Sequence, residues 1–333
     1  MRTQIRLIRM KALSFSLVVW TAFCLRAQEA LKVSSTIPLP GVQGRIDHLA
    51  IDTKGKRLFV AALGNNTLEV LDLSAGKRIQ TVTGCSKPQG VLFLESSNQI
   101  YVANGGDGTV KVFDGSSYKL IKSIASLPDA DNLRYDARDH LIYVGYGSGK
   151  LGFIEEATVG QVAFIELQGH PESFQLERKR DRIFINVPDA NQVAVFDGKD
   201  SYVRSWPVKK FRANFPMALD EANHRIFVGC RKPPRLLVMD VDNGKLVTDL
   251  AISGDTDDLF YDEAHKRLYV SCGEGFVDVI GQNSADAYQC LSHIPTAAGA
   301  RTSLHSPDLG RFYLAVPLRG KQTAEIIEYE VAN

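Results

Sequence analysis

The scarcities of this 333-residue sequence exclude several kinds of protein before any motif is considered. Net charge is almost absent, with 39 Lys and Arg against 38 Asp and Glu. Five of the basic residues, Arg2, Arg6, Arg9, Lys11 and Arg26, lie before position 28 in a segment without Asp or Glu. The rest of the chain is therefore slightly acidic, the wrong sign for gripping phosphates non-specifically, and no nucleic acid partner is expected. Helical periodicity is missing. No apolar run reaches the roughly 20 residues needed to span a bilayer; the longest, residues 12–25, is interrupted by Ser14, Ser16 and Thr21.

That run follows a basic start and precedes small residues around Ala27, the pattern of a signal peptide cleaved after Ala27. Phe23 is too large to precede a lipid-modified Cys24. Residues 1–27 are thus read as a signal peptide and 28–333 as an exported domain, periplasmic or secreted. Cysteine is scarce too. Cleavage leaves Cys85, Cys230, Cys272 and Cys290, with no CxxC and, on this reading, no histidine at zinc-ligand spacing. Outside the cytoplasm a Cys230–Cys272 disulfide and buried free thiols are both open.

What is present is a repeat. A strand of the form Leu-Phe-Val or Ile-Tyr-Val returns seven times, with its aromatic at Phe59, Tyr101, Tyr143, Phe184, Phe227, Tyr269 and Tyr313. Successive spacings are 42, 42, 41, 43, 42 and 44 residues. Each copy adds an apolar strand before the aromatic one and two strands after it, separated by turn residues. Four short strands in about 42 residues describe one blade of a β-propeller. The last copy ends at its third strand, and residues 32–37 resemble the missing fourth. The prediction is an all-β, seven-bladed propeller whose last blade is closed by the N-terminal strand, which leaves no open sheet edge. It is expected to be a monomer.

The Tyr-Val pairs, the recurring Val-x-Val-hydrophobic-Asp and Gly-Lys, and above all Tyr101-Val102-Ala103-Asn104 resemble the YVTN-repeat propellers over residues 31–331. The resemblance implies a seven-bladed ring and carries over no active site.

Charged residues that recur at one position from blade to blade belong to blade construction. Asp52, Asp136, Glu177, Asp220 and Asp262 precede the aromatic by seven residues, and Arg57, Arg182, Arg225, Arg267 and Arg311 by two. Ion pairs or turn caps across the hairpin are expected of them, and turn-holding of Asp72, Asp114, Asp197 and Asp240. The glycine-rich stretches at 105–108 and 145–149 join two strands of a blade, unlike a phosphate-cradling loop.

Chemistry is sought where the blades differ, in the segments entering each innermost strand. One aligned ring reads Asp47, Gln89, Asp131, Glu172, Phe215, Asp257 and Thr302. Arg45, His48, Lys87, Asp129, Asn132, His170, Asp255, Asp258 and Arg301 fall beside it. These residues would surround one mouth of the channel. Asp131, Glu172, Asp257 and Asp258 offer oxygens to a divalent cation such as calcium. Arg45, Lys87 and Arg301 offer anion contacts, and His48 or His170 a general base beside Asp47 or Glu172. No Gly-x-Ser-x-Gly elbow, His-Glu-x-x-His pair or Cys–His nucleophile arrangement is found.

The leading expectation is a non-catalytic binding scaffold whose mouth takes a small polar molecule, a glycan, a peptide or an envelope protein, with no cofactor required. The alternative is a propeller enzyme, a lactonase-like hydrolase or a lyase using the mouth carboxylates or histidines, with or without calcium. Quinone or redox binding has less behind it, since Trp206 is the one tryptophan beyond the leader and no haem-attachment motif occurs.

Overall fold

A computed structural model describes residues 30–198 and 202–332; the expected signal peptide lies outside the described residues. Those residues form seven four-stranded antiparallel sheets. Blade one runs Leu49–Asp52, Arg57–Ala62, Thr67–Asp72 and Lys77–Val82, and the same hairpin order repeats through blade six. Blade seven consists of Thr302–Ser306, Arg311–Val316 and Glu325–Val331, with Leu31–Pro38 as its outermost strand. Leu31 pairs with Val331 and Pro38 with Glu325, so both ends of the domain share one sheet, as the repeat predicts. The described residues contain three 3-10 turns and no helix long and apolar enough to cross a membrane.

The repeated aromatic explains the spacing. Phe59, Tyr101, Phe184, Phe227 and Tyr269 have no solvent exposure. Several reach the next blade: Phe59 packs 5.2 Å from Phe93, Phe227 5.4 Å from Tyr261 and Tyr269 5.2 Å from His305, measured between ring centroids. Burying a ring of this size stabilises by about 2–3 kcal/mol, and each also locks one blade to the next. The innermost strands touch their neighbours around the whole ring, blade seven meeting blade one.

The recurring Asp and Arg residues are structural, as expected, but not uniformly so. Asp52 pairs with Arg57 at 2.7 Å and Glu177 with Arg182 at 2.6 Å. Asp220 and Asp262 cap turns instead, accepting backbone N–H groups of Asn223 and His265. Arg225 turns to Asp240 and Asp286. Asp72, Asp114 and Asp240 each accept two backbone N–H groups of the following turn. Cys230 and Cys272 are buried free thiols, so the disulfide left open by the sequence is not made.

One irregularity of the outermost strands bears on chemistry. Pairing skips one residue at Ser34, Ile79, Ile121, Val162, Val247 and Leu291. Such a bulge reverses the in-out alternation, so side chains three residues apart across it share a face.

Candidate functional site at the channel mouth

The pairing register fixes which side chains form the ring. Ala50, Leu92, Arg134, Gln175, Ala218, Phe260 and Leu304 lie opposite the seven aromatics. Three residues earlier stand Asp47, Gln89, Asp131, Glu172, Phe215, Asp257 and, in blade seven, Arg301. The alignment that put Thr302 there is one residue out. Thr302 is buried and donates to the Ile46 carbonyl at 3.3 Å, while Arg301 completes the ring. Backbone bonds hold the level: the N–H groups of Asp47, Asp131 and Glu172 donate to Ala61, Gly145 and Asn186 at 2.8, 2.9 and 3.0 Å.

The mouth divides into two chemically distinct parts. Over blades five to seven and one, arginines surround Asp257. Arg231 Nη2 lies 2.6 Å from its Oδ1, Arg301 Nε 2.8 Å from Oδ2, and Arg45 Nη2 3.9 Å from Oδ2. Arg45 also reaches Asp47 at 2.7 Å, and Arg301 donates to both oxygens of Asp255 at 2.8 and 2.9 Å. The Arg231 guanidinium stacks 3.7 Å from the Phe215 ring. Positive and negative groups balance in this part.

Over blades three and four they do not. Asp131, His170 and Glu172 bring one ligand atom each within 4.8 Å of one another. His170 Nε2 is 3.8 Å from Asp131 Oδ2, and its Nδ1 is 2.6 Å from the Gly147 carbonyl. That bond gives Nδ1 the proton and turns Nε2 toward the carboxylates. Burial, with Asp131 and Asp257 nearby, pushes the Glu172 carboxyl up to about 8. Burial opposes charging of His170, but Asp131, Gly147 and Glu172 outweigh it and raise the imidazole to about 9.

His48 joins the two parts. Its Nδ1 is 3.4 Å from Asp258 Oδ1 and its Nε2 3.6 Å from Asp47 Oδ1. Burial disfavours its charge, yet Asp258, Asp47 and Asp131 prevail and lift it to about 10. Burial likewise raises Asp47 to about 6, against the pull of His48 and Arg45. At neutral pH His48 is therefore an imidazolium between carboxylates, which suits it to binding and not to accepting a proton.

Below the ring the channel holds a cavity of about 380 Å³. His48, Asn132, Ser173, Asp258 and Ser303 line its upper part, with Arg134, Gln175, Phe93 and Phe260 among its other walls. Asn132 is 2% exposed, its amide nitrogen is 3.5 Å from Asp131 Oδ1, and its carbonyl oxygen is buried without a partner.

Ten of the twelve predicted site residues converge here: Arg45, Asp47, His48, Asp131, Asn132, His170, Glu172, Asp257, Asp258 and Arg301. Lys87 and Gln89 do not join the cluster. Lys87 stays exposed at the rim, and Gln89 bridges blades two and three by donating to the Ala130 carbonyl at 3.1 Å. Sequence reasoning missed Arg231, which projects from the end of a second strand. Its signal was that blade five carries Arg231 where blades two, three and six have Gly105, Gly147 and Gly273.

No protein-family model matches the chain, and no curated protein matches it. Solved structures do. A chain of hydrazine synthase from Kuenenia stuttgartiensis superposes with a TM-score of 0.74 at 15% identity, over 88% of this chain and 99% of that one. A chain of the mitotic checkpoint complex superposes at 0.78 with 14% identity, over 100% of both. At such identities the likeness is one of fold alone, and the fold it supports is the seven-bladed β-propeller.

Proposed function

We propose that this is an exported binding protein of the YVTN-repeat kind, which holds a small polar molecule at the channel mouth through a divalent cation. The observation that carries the reading is the placement of Asp131, His170 and Glu172 beside a channel cavity of about 380 Å³. That volume suits a small ligand better than a glycan chain, a peptide or a folded partner. The donor set combines one imidazole nitrogen with two carboxylates and leaves room for ligand oxygens, which favours zinc, manganese or ferrous iron over calcium. Three protein ligands and open positions also describe many catalytic metal sites. His48 argues for binding instead: neighbouring carboxylates hold it in the charged form, whereas His170 and Glu172 each release a proton when they ligate the cation. Export rests on the basic, apolar and small-residue order of residues 1–27.

Equilibrium dialysis of the purified domain against Zn²⁺, Mn²⁺ and Ca²⁺ tests this. One equivalent of zinc or manganese should be retained, with a raised Tm, and both should be lost in Glu172→Gln and His170→Ala. Adding sugar acids, hydroxy acids and amino acids to the loaded protein should then raise Tm further for one class. Retention of none of the three ions by the wild-type domain would rule out the reading.

A further inference from the structure

The sequence shows no Cys–His nucleophile arrangement by motif, and Cys290 and His293, three residues apart in one strand, would lie on opposite faces if the strand alternated regularly. The structure corrects this. The pairing of blade six's outermost strand skips Leu291, so Cys290 lies opposite Ile280 and His293 opposite Asp278. Those partners are two residues apart, and all three polar side chains share one face. Cys290 Sγ is 3.3 Å from His293 Nε2, and His293 Nδ1 is 2.7 Å from Asp278 Oδ1. Asp278 has no solvent exposure and is fixed by Ser253, whose N–H and hydroxyl donate to it at 2.6 and 3.0 Å. Nδ1 therefore carries the proton and Nε2 is left to accept one from sulfur.

Blade one uses the same three positions differently. There the fully buried Glu69 holds Arg78 at 3.0 Å and Thr81 at 2.7 Å, a purely structural cluster. Blade six puts a nucleophile and a base on that scaffold, at a cavity of about 420 Å³ whose other walls are Arg235, Asp249, Leu250, Ala251, Ile252 and Ser253.

We infer that Cys290, with His293 as its base and Asp278 as the group orienting that base, is a nucleophilic thiol that forms mixed disulfides with small disulfides. The thiol proton moves to His293 Nε2 and the sulfur attacks one sulfur of the substrate. A bond to Cys290 forms, the substrate S–S bond breaks, and the departing thiolate takes the proton back from His293. Cys290 is oxidised to the mixed disulfide, and half of the substrate is reduced to a thiol. Acyl transfer fits less well, because the Ser253 N–H that could face an oxyanion is spent on Asp278. Burial, and then the Asp278 charge, push the Cys290 thiol above its ordinary range, so its reactivity needs the base. Cys85, Cys230 and Cys272 are buried, which leaves no second exposed thiol among the described residues to resolve the adduct. The wall of Leu250, Ala251 and Ile252 suits a disulfide with an apolar body, while Arg235 on the same wall lies 3.5 Å from Asp249.

5,5′-Dithiobis(2-nitrobenzoate) is such a compound and reports the thiol it releases. The native domain should release one equivalent in a fast phase, and Cys290→Ser none. In His293→Gln, which leaves the half-exposed position folded, the fast phase should slow by about tenfold or more at neutral pH. The difference should vanish at high pH, where the thiol ionises unaided. Asp278→Asn should act in the same direction. If His293→Gln reacts at the wild-type rate across the pH range, Cys290 is only an exposed thiol and the inference is wrong; a fast phase surviving in Cys290→Ser overturns it equally.

Discussion

Arg231 Nη2 of blade five lies 2.6 Å from Asp257 Oδ1 of blade six, and this ion pair is the central contact of the arginine-rich part of the mouth. Arg301 reaches the other oxygen of the same carboxylate from the blade-seven side. One largely buried aspartate thus compensates guanidinium groups from neighbouring blades. Removing it leaves Arg231, Arg301 and Arg45 to share Asp255 and Asp47, three positive charges against two.

Asp257→Ala should therefore destabilise the domain by about 2–4 kcal/mol in urea unfolding. Arg45→Ala should cost under about 1 kcal/mol, because its side chain is 44% exposed, its contact with Asp257 is longer, and its other partner, Asp47, keeps His48 nearby. Equal costs for the two would mean that Asp257 is not the hub.

His48 makes a pH prediction. Its folded-state value of about 10 lies above its ordinary 6.5, so the folded protein binds the proton more tightly. The stability this supplies is complete below about pH 6.5 and drains away as pH rises through about 10, at up to about 1.4 kcal/mol per pH unit. His48→Gln should flatten the fall in urea stability between pH 7 and 10. An unchanged slope in the variant would show that His48 is not the group responsible.

The shared seventh blade predicts an asymmetry within one strand. Ile37 has no solvent exposure, whereas Val33 of the same strand is 56% exposed. Ile37→Ala should cost about 2–4 kcal/mol and loosen the closure of the whole ring, while Val33→Ala should change stability by under about 0.5 kcal/mol. Hydrogen exchange should speed up in both Leu31–Pro38 and Glu325–Val331 in the first variant alone.

The blades were legible because one buried aromatic recurs at nearly constant spacing and because turns reuse the same capping residues. The ring was legible for the same reason, since its members sit at a fixed distance before that aromatic. Blade seven slipped by one because Leu304 looks like the first core residue, whereas the pairing of Leu304 with Tyr313 makes Ser303 its counterpart. Arg231 escaped because it enters from the end of a second strand and meets Asp257 across a blade boundary. Cys290 and His293 escaped for a different reason: a bulge is decided by backbone pairing, and only that pairing shows that the two residues share a face.

Arg134 offers the last test, because its position costs stability. It lines the channel cavity, with its guanidinium 5.6 Å from the Phe174 ring and one hydrogen bond, to its own neighbour's carbonyl at 2.8 Å. Burial lowers its basicity despite Asp258 and Asp131 nearby, so folding works against this charge. A guanidinium with donors to spare facing a cavity is suited to a carboxylate on a bound ligand. Arg134→Met, which keeps the length and discards the charge, should raise stability by about 1–3 kcal/mol in urea unfolding. The same variant should abolish any Tm rise that millimolar hydroxy acids give the zinc-loaded wild-type domain. A destabilised Arg134→Met would instead place the guanidinium among the groups that hold the blades together, and the channel would lose its anion contact.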